Sequence, residues 1–170
     1  MLATPIFRLA VSQMSFDGVV TRAVVHELQD LIGGRTAKIY QPQPTELVFH
    51  IRKQRETKRL LLSAHSQFAR LQLTNESFDN PKNPPMFCML LRKHLDGGII
   101  DSIEQYGMER MVTIRFKTTN ELGDPAYKQL VIELMGRHSN IVLLDNEKNI
   151  ILDSIKHIPP SINRYRTVLP

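Results

Sequence analysis

The chain has 170 residues, 42% of them hydrophobic and 23% charged, which is the size and composition of one globular domain and excludes wholesale disorder. No apolar run approaches the ~18 residues of a membrane-spanning helix, so membrane insertion is not expected. With a single cysteine, Cys88, an internal disulfide and a four-cysteine zinc site are impossible, and a net charge of +5 favours an anionic partner.

Residues 1–13 carry no positive charge ahead of their apolar positions, and Arg8 interrupts them, so they fail as a secretory signal. An orderly pattern begins only at Met14, which makes 1–13 a non-essential extension and Met14 an alternative start. Residues 16–32 read as an amphipathic helix. Val20, Val24, Leu28 and Leu31 form its apolar stripe, Ser15 or Asp17 can cap it, and Gly33-Gly34 supplies the exit.

Four strand-like runs follow: Ala37–Tyr40, ending at Pro42 and Pro44, then Glu46–Lys53, Arg59–His65 and Arg70–Thr74. Their short connections predict antiparallel pairing. Pro81, Pro84 and Pro85 mark a loop over 75–85, from which Pro84-Pro85 enters a second helix, Met86–Leu95, ended by Asp96-Gly97-Gly98. The second half reads as strands at Ile99–Gln105, Arg110–Lys117, Gln129–Met135, Ile141–Leu144 and Ile150–Ile155. Residues 14–155 thus form the domain, and 156–170 read as a strap or linker leading out of it. With no βαβ rhythm, the fold class is α+β: a mainly antiparallel β-sandwich with flanking helices.

Enzyme chemistry finds little support. Six histidines show no zinc-ligand spacing, so no metal and no cofactor are expected. Ser63 and His65 share a strand face by parity, but no third group or oxyanion hole is signalled. Cys88 lies among Met86, Phe87, Met89 and Leu90 and reads as a buried structural thiol.

Basic clusters say more. Arg52, Lys53, Arg55, Lys58 and Arg59 surround a hairpin tip, Arg92 and Lys93 close the second helix, and Arg137-His138 follow a strand. The tail adds Lys156, His157, Arg164 and Arg166. Taken singly, each cluster is ordinary surface charge or a helix-end cation. Together they point to an extended phosphate-binding surface, with Tyr106 and Tyr165 as exposed rings.

The words MSFDG (14–18), GGRTAKIYQP (33–42), LLLSAH (60–65), NPPMFCMLLRKHLDGGII (83–100), ELMGRHSNIVL (133–143) and NRYRTVLP (163–170) occur in this order. Together they closely resemble the amino-terminal domain of the RqcH / fibronectin-binding protein A family, the NFACT proteins. The resemblance implies a fold like the amino-terminal domain of formamidopyrimidine-DNA glycosylases, and further domains beyond Pro170. It implies a cytoplasmic quality-control factor that binds the large ribosomal subunit with a stalled nascent chain. Such a factor recruits tRNA, alanine-specific in bacteria, and supports carboxy-terminal alanine tailing.

Adhesion to fibronectin or fibrinogen at the cell surface is the second activity the resemblance implies. Glycosylase activity ranks last: those enzymes begin with a proline nucleophile, whereas Met14 is followed here by Ser15-Phe16-Asp17. Family members carry Asp-Arg after the IEQ segment, a pair linked to tRNA recruitment. IEQYGMER (103–110) sets Glu109-Arg110 there, keeping the charge but adding a methylene. Gly107 makes the turn before the strand and places Glu109 and Arg110 at a sandwich edge. By parity with Val112, Ile114 and Phe116, Arg110 falls on the core side of its strand, so it must snorkel out, pair with a buried partner or reach over the edge to a ligand.

Overall fold

Helix α1 runs from Gly18 to Leu28 in the computed structural model, which describes residues 18–157. The proposed extension 1–13, the start at Met14, and Arg164 and Arg166 of the tail lie outside the described residues. The stripe Val20, Val24, Leu28 and Leu31 is buried as the periodicity requires. The helix stops earlier than the sequence predicts and tightens into a 3-10 turn at Gln29–Leu31. Tertiary contacts explain this: Gln29 Nε2 donates to the Val25 and Ile103 carbonyls, and Lys53 Nζ to those of Asp30 and Ile32. The Val25, Asp30 and Ile32 carbonyls, which continued helix would otherwise serve, are satisfied in this way, and the bond to Ile103 ties the turn to the strand that holds that residue. Gly33, at φ +90°, then reverses the chain.

The strands are β1 (Arg35–Gln43), β2 (Glu46–Lys53), β3 (Glu56–Ser63), β4 (Arg70–Thr74), β5 (Ile99–Gln105), β6 (Met111–Thr119), β7 (Pro125–Glu133), β8 (Asn140–Asp145) and β9 (Ile150–Ser154). Helix α2, Met86–Leu95, lies between β4 and β5. Strand β1 is longer than expected and absorbs Pro42 at a register irregularity between Tyr40 and Gln43, where a missing N–H costs no ladder bond. Strand β7 begins at Pro125, because the β6 partner extends pairing beyond the apolar run alone.

All nine strands form one antiparallel sheet in the order β4-β3-β2-β1-β5-β6-β7-β8-β9, in place of the two separate sheets of a sandwich. Its two halves join at a narrow corner, where Arg35 pairs Ile99 and Gly33 and Gly34 exchange backbone hydrogen bonds with Ile100. Strands β2 and β6 are three steps apart in the sheet, about 14 Å if it were flat. Yet the rings of Phe49 and Phe116 stack with centroids 6.1 Å apart. The sheet therefore folds over on itself, enclosing one core lined by both halves. Helix α1 packs on β4, β5 and β6, and α2 on β1, β6 and β9, so each helix bridges the two halves.

Candidate nucleic-acid interface

The segment from β5 to β6 sets the geometry of the predicted Glu109-Arg110 site. Gly107 adopts φ +58° and makes the turn that the sequence predicts. The Tyr106 N–H donates to the Met111 carbonyl at 3.0 Å, and the Glu109 N–H to the Tyr106 carbonyl at 3.0 Å. Gln105 Nε2 donates to both the Gly18 carbonyl (2.9 Å) and the Glu109 carbonyl (2.7 Å), tying turn to helix. Helix α1 comes so close that a β-carbon on Gly18 would lie 2.1 Å from the Met108 carbonyl oxygen. Only glycine fits there, for reasons of space.

Strand β6 starts at Met111, so Arg110 lies in the turn and not on the strand. The edge position is as expected, but the core-side parity does not apply, because Arg110 precedes the strand. Alternation holds only where the ladder holds, and at this point the chain has already bent away. Arg110 is exposed, as is Glu109, and neither side chain bonds another described residue. Its main chain is nonetheless fixed, because the Leu134 N–H donates to the Arg110 carbonyl at 2.8 Å.

That bond brings the second predicted pair alongside. Leu134 leads into a 3-10 turn, Gly136–His138, entered by Gly136 at φ +57°, and Arg137 and His138 are both exposed on it. Lys156 joins the same end of the sheet. Met111 pairs Glu133, Glu133 pairs Asn140, and Asn140 holds Lys156 through bonds to its carbonyl and N–H, each 3.0 Å. Burial holds the Lys156 ammonium below the ordinary lysine value. Tyr106 and Met108, 59% and 56% exposed, add apolar surface on the turn that carries Arg110.

Arg92 and Lys93 are not part of this group. Helix α2 ends near the start of β5, which is the opposite end of the sheet. Arg92 Nε donates to the Ile39 carbonyl at 2.8 Å, and its guanidinium stands 5.6 Å from the centre of the Tyr40 ring. Lys93 lines a cavity of about 420 Å³ with Lys128, Asp145 and Lys148. In that cavity the Lys128 ammonium is 3.7 Å from the Asp145 carboxylate.

The residues weighed for catalysis are otherwise engaged. Strand β3 ends at Ser63, and the His65 Nδ1 accepts from the Gln67 and Phe68 N–H groups, so it shapes a turn. Cys88 is fully buried, and burial pushes its thiol up. Among the described residues no group of three or more His, Cys, Asp or Glu side chains could hold a metal ion. No described helix is long and apolar enough to cross a membrane. Sequence reasoning missed Gln105, whose two bonds position the site; a lone polar residue at a strand end carries no signal of its partners.

Residues 17–170 match the family model of NFACT N-terminal and middle domains. The chain is 50% identical over 158 residues to the Rqc2 homolog RqcH of Bacillus subtilis, covering 92% of this chain and 28% of that protein. Among solved structures, it resembles the N-terminal domain of the fibronectin-binding protein PavA from Streptococcus pneumoniae, at 50% identity and a TM-score of 0.84. That match covers 92% of this chain and 59% of the other. The N-terminal part of the fibronectin/fibrinogen-binding protein from Streptococcus suis is similar at 46% identity and a TM-score of 0.85, with the same coverage.

Proposed function

The chain belongs to the family of NFACT N-terminal domains of RqcH homologues, and from that premise we propose that it is the tRNA-contacting domain of a ribosome quality-control factor. The observation that carries this reading is the gathering of Glu109, Arg110, Arg137, His138 and Lys156 at one end of the sheet, beside the exposed Tyr106 and Met108. Guanidinium groups suit phosphate or a stacked base, and a carboxylate among them can accept from a base amine or orient a neighbouring cation. Fixed main chain under free side chains lets such contacts form with little further ordering of the protein. The partners on this reading are a tRNA, alanine-specific as in bacterial members, and the large ribosomal subunit in the cytoplasm. Arg164 and Arg166, outside the described residues, belong to the same proposal as basic residues of the tail.

On this reading the domain acts by binding and not by catalysis. A glycosylase-like fold would leave that unchanged, since function depends on the site and not on the fold.

The test uses the longer protein that contains this chain. Arg110→Ala should leave its melting temperature unchanged and abolish tRNA co-purification with large ribosomal subunits. Retained tRNA with Arg110→Ala would refute the assignment.

A second reading, adhesion to fibronectin or fibrinogen at the cell surface, is favoured by the names of the solved relatives. Capture of fibronectin by intact cells, lost on deletion of this protein and unaffected by Arg110→Ala, would support it.

A further inference from the structure

A second group of cations stands on the outer face of β1, β2 and β3, away from the turn that carries Arg110. Alternation sends Ile39, Phe49 and Leu60 into the core and turns their neighbours Lys38, His50 and Arg59 outward. The register then sets these three in one row, Lys38 opposite His50 and His50 opposite Arg59. Further along the strands Arg35 stands opposite Arg52. Like charges facing each other across strands are destabilising, so the Arg35–Arg52 pair carries a cost that a bound anion would relieve.

None of Lys38, Arg59 and Arg92 forms an ion pair with a described carboxylate. Burial, and after it the charges of Arg59 and Lys38, hold the His50 imidazole below its ordinary value. Asp96 borders the neighbouring groove that Lys38 and Arg92 share, and it is the acidic residue of that groove.

The row also has an aromatic floor. The loop after β4 turns back across it, with Arg59 Nη1 donating to the Glu76 carbonyl at 2.8 Å. Tyr40, His50, Arg59 and Phe78 thereby help line a cavity of about 200 Å³, with the exposed Glu76 at its rim as its acidic residue. This is below the ~300–1,000 Å³ typical of drug-sized ligand pockets, so it suits a single ring system. The His50 ring meets Tyr40 edge-on, with centroids 5.2 Å apart, and Arg92 covers the same ring. A free phosphate would need the cations but not the rings. An acidic peptide would need no flat cavity. Rings in a cavity bordered by cations fit a nucleotide unit.

We propose that this face binds a single-stranded segment of RNA, one base entering the Tyr40–Phe78 cavity and its flanking phosphates lying on Lys38, Arg59 and Arg92. The proposal rests on the reading of the domain as an RNA-binding module, but it uses a different surface. Arg59 and Arg92 are already oriented by main-chain carbonyls, so their remaining donors are preorganised for phosphate. Base stacking supplies affinity with little sequence preference.

The 170-residue chain, a labelled unstructured oligouridine and a thiouridine-substituted version of it provide the test. Photo-cross-links should map to the peptides holding Tyr40, His50 or Phe78. Lys38→Glu, at an exposed position, should weaken binding about five-fold or more at low salt, with the loss shrinking as salt rises. Phe78→Ser should weaken it about five-fold at every salt concentration, as loss of stacking requires. Unchanged melting temperatures separate these effects from unfolding.

Unaltered binding in both variants, with cross-links confined to Tyr106 and Met108, would overturn this proposal and leave the turn-end reading intact. Loss of binding in both, with Arg110→Ala binding as the parent does, would uphold this face as a site separate from the turn end. No binding by the parent chain would overturn it as well.

Discussion

Gln105 decides whether the turn bearing Glu109 and Arg110 is held by donated hydrogen bonds or by packing alone. Its Nε2 donates at 2.9 Å to the Gly18 carbonyl and at 2.7 Å to that of Glu109. Each bond contributes about 0.5–1.5 kcal/mol net, so Gln105→Ala should cost about 1–3 kcal/mol. Gln105→Glu is the sharper probe, because it keeps the shape but the ionised carboxylate can only accept. It would face two carbonyl oxygens and should be less stable than Gln105→Ala at neutral pH, by a further ~1 kcal/mol or more. The same repulsion raises the introduced carboxyl's folded-state pKa above its unfolded value of about 4.3. The penalty is therefore complete above the folded pKa and fades as pH falls through it, when the protonated acid regains a donor. Urea melts at neutral pH and near pH ~4, each read against the parent at the same pH, measure both effects. Hydrogen exchange at the Glu109 N–H, bonded to the Tyr106 carbonyl, should accelerate in both variants. A Gln105→Glu protein as stable as the parent at neutral pH, or a gap that does not narrow in acid, would refute the reasoning.

Two further perturbations probe the frame around the sites. The β2–β3 hairpin turns on Gln54 and Arg55 at φ 51° and 71°, a left-handed pair that side chains other than Asn and Gly tolerate poorly. Gln54→Asn combined with Arg55→Gly should raise stability by about 1–2 kcal/mol in urea titration, and an unchanged midpoint would count against strain in that turn. Burial alone would push the Asp145 carboxyl up, but the Lys148 and Glu147 N–H groups and the Lys128 ammonium outweigh it and hold it low. The stability it contributes is thus present above the unfolded value of about 3.9 and lost as pH falls through the folded one. Asp145→Ala should cost about 1–3 kcal/mol at neutral pH, and melting across the acid range should show the gap closing; a gap constant with pH would oppose this account.

The local elements were legible in the sequence. Alternation located β2 at Glu46–Lys53 and β5 at Ile99–Gln105, and the proline entry and glycine exit located α2 at Met86–Leu95. These signals are legible because periodicity and backbone preference act between residues a few positions apart. The exposed Tyr106, the turn at Gly107 and the buried Cys88 were legible for the same reason. The family words supplied the expectation that Glu109 and Arg110 act in tRNA binding, which spacing alone did not.

What only the tertiary structure decided depends on partners distant in the chain. A single sheet replaces two because Arg35 meets Ile99 at a corner, and Phe49 reaches Phe116 only once the sheet has folded over. Arg110 left its expected parity because strand pairing, not the sequence pattern, ends the ladder at Met111. The basic clusters, alike in sequence, were sorted by register: Arg110, Arg137 and Lys156 to one end, Lys93 to the other, and Lys38, His50 and Arg59 into one row. Charge can be counted along a chain, but which charges share a surface is fixed by long-range pairing, and no local signal encodes it.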